Sequence, residues 1–135
     1  MTQTVRKPAA DLEPAVATQP PLIAFLRLSA LACRTAPRGS LGACALLDPD
    51  AGPEDYAMAL ARTLPEMTMR RPVIWRPGAA GRSFDEDWLL SLQDAIRRRD
   101  GASVRFLTRS RVRPEAAPYL QLLLRGLCER LDSAA

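Results

Sequence analysis

Seven arginines crowd the stretch from 97 to 113: Arg97, Arg98, Arg99, Arg105, Arg109, Arg111 and Arg113, set against a single acid, Asp100, for a local charge of about +6. A guanidinium is planar and donates two parallel hydrogen bonds, so this residue type at this density suits carboxylate or phosphate carried by a partner. The chemistry on offer is recognition. A nucleic-acid recognition helix carries short polar readers near its start, and here Ala102, Ser103 and Thr108 are all that the stretch supplies. A plainer reading puts residues 97–99 at the negative end of a helix and leaves the other arginines as solvated surface.

Trp75 is the second candidate contact. It lies in a proline-bounded stretch between Arg71 and Arg76, and tryptophan and arginine dominate interface hot spots. A loop tryptophan that merely covers the end of a bundle is the commoner arrangement.

Other chemistry is thinly represented. The chain has no histidine, which removes the commonest general base and the commonest neutral metal ligand. Residues 78–83, Gly-Ala-Ala-Gly-Arg-Ser, resemble a phosphate loop, but the lysine is missing and Asp85, Glu86 and Asp87 follow, which would repel an anion. Asp48-x-Asp50-x-Gly52 lacks the later ligands of a calcium loop: Ala59 stands where glutamate is needed. Cys33, Cys44 and Cys128 form no C-x-x-C pair and read as packing residues in a reducing compartment. No converging nucleophile, base and oxyanion donors can be assembled. The chain is therefore expected not to be an enzyme and to need no cofactor or metal.

The elements that must position these residues are helical. Residues 1–20 hold three prolines, with Pro21 directly after them, among Ala, Thr and Gln and are expected to form a disordered tail. Residues 21–133 are expected to form one helical domain. Its first helix spans 22–34 and is apolar nearly all round, which suggests a central position. Residues 41–47 fit a strand or a helical turn equally well. Pro53, Glu54 and Asp55 open a second helix that runs to Pro65. Residues 72–75 read as extended, which leaves room for one short β pairing with 42–47.

Ser83-Phe84-Asp85-Glu86 is a capping box. Beyond it Phe84, Trp88, Leu92, Ala95 and Ile96 recur at helical spacing, Asp94 and Arg98 are placed for an i,i+4 pair, and Asp100-Gly101 stops the helix. A shorter helix from about 102 carries Val104, Phe106 and Leu107 toward the core. A last helix begins near Pro114, with Leu120, Leu123, Leu124, Leu127 and Leu131 as its stripe. Gly126 within it points to close approach by another helix. The fold class is mainly α: a small bundle of about five helices.

The net charge of +4 and the pI near 9.5 invite a nucleic-acid partner. However, only Lys7 among 19 basic residues is lysine, and a chain rich in Ala, Arg, Pro and Gly acquires much of its arginine from composition. The apolar run at 22–33 is broken by Arg27 and is too short to span a bilayer, so no membrane association is expected. The residues favour a cytoplasmic helical adaptor or regulatory protein that binds a protein partner, or a second copy of itself, through the 97–113 arginines or Trp75. The alternative is a small nucleic-acid-binding regulator that uses the same basic surface.

Overall fold

The computed structural model describes residues 19–35 and 49–134. Among them five helices form: α1 (Pro21–Thr35), α2 (Pro53–Met67), α3 (Phe84–Arg97), α4 (Gly101–Arg111) and α5 (Ala117–Ala134), with a 3₁₀ turn at Pro114–Ala116. The stretch 41–47, and with it the suggested pairing to 72–75, lies outside the described residues. So does the expected tail, except for Gln19 and Pro20. Gln19 is tied down, its side-chain amide donating to Gly81 O at 2.9 Å.

Three of the helix starts have a local cause. Pro53 supplies the fixed φ of a first helical residue, and Asp55 accepts from the Gly52 amide at 3.0 Å. Ser83 Oγ accepts from Glu86 N at 3.1 Å while Glu86 accepts from Ser83 N at 2.9 Å, the reciprocal bonds of a capping box. Asp100 caps α4 through Ser103 N at 3.1 Å and Ser103 Oγ at 2.6 Å.

Four details differ from the sequence expectation. First, α1 is not central: Leu28 and Leu31 face outward, and α2 packs between α1 and α5. Second, α2 continues past Pro65 to Met67. The proline sits in the last turn, where the Thr68 amide and hydroxyl both bond Leu64 O, at 3.1 and 2.9 Å. Third, α3 ends at Arg97, and the left-handed residue after it is Arg99 (φ 57°), not Gly101, which opens α4. Fourth, Phe84 and Phe106 do not join the core; they are 73 % and 72 % exposed.

The core is a leucine lattice. Leu22, Ile23 and Leu26 of α1, Leu60 and Leu64 of α2, Leu89 and Leu92 of α3, and Leu120, Leu123, Leu124 and Leu127 of α5 are almost wholly buried. A buried leucine contributes roughly 1.5–3 kcal/mol, so this set carries the fold. Trp88 joins it, with its indole N–H donating to Leu107 O at 2.9 Å. Helices α2 and α5 meet tightly at Gly126, where an added Cβ would stand 2.7 Å from Tyr56 Cδ2. No strand forms among the described residues. An isolated antiparallel bridge, Thr68 with Val112, ties the end of α2 to the end of α4.

Candidate functional site

The arginine stretch falls on the end of α3, the turn after it, and α4. Four of the seven arginines are held by partners within the fold. Arg97 pairs with Asp132 at 2.7 Å, and Arg98 with Asp94 at 2.9 Å and Asp100 at 3.4 Å. Arg111 pairs with Asp85 and lies over the Phe84 ring, 4.5 Å from its centroid. Arg113 Nε donates to Glu66 O at 3.2 Å. Arg99, Arg105 and Arg109 have no carboxylate partner among the described residues.

Those three border a trough. Helix α4 packs against α3 and stands away from α5, which leaves two adjoining cavities between α4 and α5. The larger, about 710 Å³, is edged by Arg97, Arg99, Arg105 and Arg125, with Ile96, Val104 and Cys128 supplying apolar surface. The smaller, about 320 Å³, is edged by Arg105, Arg109, Thr108 and Met69. Arg105 and Gln121 border both. Cavities of this size accommodate a small ligand or a few residues of a peptide. The Thr108 hydroxyl oxygen is buried and has no hydrogen-bond partner among the described residues, an uncommon state for a buried polar atom.

The one acid inside the stretch does not neutralise the trough. The Ser103 hydroxyl and amide hold the Asp100 carboxyl below the usual aspartate range, and it is committed to capping α4. The Cys128 thiol is pushed up by burial, which outweighs the opposing hydrogen bond with Gln93. A thiol raised in this way is a poor nucleophile at neutral pH. No cluster of three or more His, Cys, Asp or Glu side chains among the described residues is placed to hold a metal ion, and no helix there is long and apolar enough to cross a membrane.

Trp75 lies apart from the trough. It is 37 % exposed, its ring sits over Gly81, and its amide donates to Glu86 at 3.1 Å. The segment around it is fastened to the start of α3, where Val73 N donates to Asp85 at 2.8 Å and Ser83 Oγ to Val73 O at 2.6 Å. Trp75 therefore lines neither of the two cavities of the trough.

Two residues of consequence were not singled out from the sequence. Arg125 joins the trough from α5, and no local signal could reveal which helix it would face. Arg27, which read as an interruption of an apolar run, is buried and paired with Glu86; its partner lies 59 residues away. Compared with family profiles, curated proteins and solved structures, the chain matches none.

Proposed function

We propose that this chain is a non-catalytic binding module that engages an acidic segment of a protein partner along the trough between α4 and α5. The observation that carries this reading is the division of labour among the arginines. Arg99, Arg105 and Arg109 stay without carboxylate partners along one trough, while Arg97, Arg98, Arg111 and Arg113 are held within the fold. Unpaired guanidiniums beside apolar surface complement a segment that carries both carboxylates and hydrophobic side chains. Phe106, exposed beside Arg105 on α4 but lining neither cavity, would add an aromatic contact at the flank of the trough.

The same division favours protein over nucleic acid. Engaging a duplex calls for many phosphate contacts along a continuous basic face, and here four of the seven cations are already engaged. The proposal also contains the regulatory role expected of such a chain in the cytoplasm, since holding an acidic segment can mask it or recruit it.

The test compares labelled polyglutamate with a mixed-sequence DNA duplex by fluorescence anisotropy at about 50 and 200 mM salt. The wild type and the Arg105→Ala/Arg109→Ala variant are used side by side. Polyglutamate binding that the variant loses supports the reading. Duplex binding that is tighter and falls steeply with salt would replace it with the nucleic-acid alternative.

A further inference from the structure

The second residue after helix α3 holds a conformation that its side chain disfavours. Arg99 has φ 57°, and its amide and that of Asp100 bond back to Ile96 O at 3.1 Å and Ala95 O at 3.0 Å. This is the Schellman arrangement, in which the left-handed position is normally glycine. A long side chain there is costly, and residues kept in sparsely populated backbone regions concentrate at binding sites. The Arg99 side chain edges the larger cavity of the trough.

Three other arginines line the same space, and one of them, Arg97, is held by Asp132. Arg105 folds back along α4 toward the turn, its Nη1 lying 3.4 Å from where a Cβ on Gly101 would be. Arg125 approaches from α5. Around the cavity four guanidiniums (Arg97, Arg99, Arg105, Arg125) face two carboxylates, Glu129 and Asp132. Asp132 is taken up by Arg97 at 2.7 Å, and Glu129 is largely exposed with Arg130 at 3.7 Å. Two positive charges are left uncompensated. A single carboxylate would neutralise only one of them. A phosphate monoester carries about −1.5 to −2 at neutral pH and three acceptor oxygens, which matches both the charge and the forked donors.

We infer that the larger cavity is a seat for a phosphate monoester on the partner segment, gripped by Arg99, Arg105 and Arg125. The inference rests on the binding role proposed above and names the group that is gripped. Arg99 keeps its unfavourable backbone because its side chain is needed at the mouth of the seat.

The experiment uses two peptides of one acidic, leucine-containing sequence, one with phosphoserine and one with glutamate at the central position. They are titrated by calorimetry into the wild type, Arg99→Gly and Arg125→Ala, with unfolding midpoints measured on the same samples. The phosphopeptide is expected to bind the wild type about tenfold tighter than its glutamate twin. Arg99→Gly should lose that advantage while its midpoint rises by about 4 °C, because glycine suits the left-handed position. Arg125→Ala should lose the advantage with its midpoint unchanged. Equal binding of the two peptides, or an unchanged preference in Arg99→Gly, overturns the phosphate seat and leaves the acidic-segment reading standing. A lowered midpoint in Arg99→Gly also overturns it, by showing that Arg99 is there for the fold. Failure of both peptides and of polyglutamate to bind the wild type overturns the seat and the binding role together.

Discussion

Arg27 and Glu86 form a bidentate ion pair inside the protein: Nε meets Oε2 at 2.8 Å and Nη2 meets Oε1 at 2.9 Å, with side-chain exposures of 2 % and 0 %. Both side chains make further hydrogen bonds. Arg27 donates to Ala79 O and Gly81 O, each at 2.8 Å, and Glu86 accepts from the Ser83 and Trp75 amides. One pair therefore fastens α1 to the cap of α3 and to the irregular segment between α2 and α3.

Removing one member should cost far more than an ordinary surface ion pair. Arg27→Ala leaves a buried carboxylate without its cation and removes the donor to Ala79 O and one of the two donors to Gly81 O, which keeps the Gln19 amide, for a loss of about 3–5 kcal/mol. Arg27→Lys should recover little of it, because a single ammonium cannot reproduce the fork. Urea denaturation of the three proteins measures both losses.

The pair also predicts an acid limit. Burial raises the Glu86 pKa, but the Arg27 hydrogen bonds, the Ser83 and Trp75 amides and the Arg27 charge together outweigh it and hold the carboxyl below the usual glutamate range. On acidification the unfolded chain therefore takes up this proton first. The stabilisation is complete at neutral pH and is lost as pH falls below about 4.3 and through the folded value. In Glu86→Gln the deficit relative to wild type should be largest at pH 7 and shrink in acid. Chemical denaturation at stepped pH reads the gap directly.

Gly126→Ala should destabilise the α2–α5 contact by about 1–3 kcal/mol, despite alanine's better helix propensity. The added methyl meets the Tyr56 ring, which Arg130 also covers at 4.4 Å from its centroid. A smaller residue at 56 should relieve the clash, so a double-mutant cycle with Tyr56→Leu should show coupling between the two sites.

Arginines 105, 109 and 111 look alike in the sequence and should separate by experiment. Arg111→Ala breaks the pair with Asp85 and the stack on Phe84, at a cost of roughly 1–3 kcal/mol. Arg105→Ala/Arg109→Ala should stay within about 0.5 kcal/mol of wild type. Thermal unfolding distinguishes the two outcomes.

What could be read in advance followed sequence distance. The Ser83–Glu86 box, the Asp94–Arg98 pair, the α5 leucine stripe and the crowding at Gly126 depend on neighbours within a few turns or on one helix face, and the structure shows each of them. The partners of Arg27, Arg97 and Arg111 are set by how helices pack, which no local pattern encodes. Helical periodicity places Phe84 and Phe106 on inward faces because it identifies a face without saying whether a neighbour covers it. For α4 the neighbour is chiefly α3, so its buried arc is narrow and Phe106 lies outside it. The left-handed residue is Arg99, with Asp100 as the cap of α4 after it and Gly101 one place further on; a glycine in the sequence does not mark where the turn takes positive φ.

Amide chemical-shift mapping of ¹⁵N-labelled protein during addition of polyglutamate tests the binding surface most directly. Shifts confined to α4 and to the facing turns of α5, including Arg105, Arg109 and Gln121, are the expected result. Shifts centred on Trp75 and its neighbours, or none at all, would contradict it.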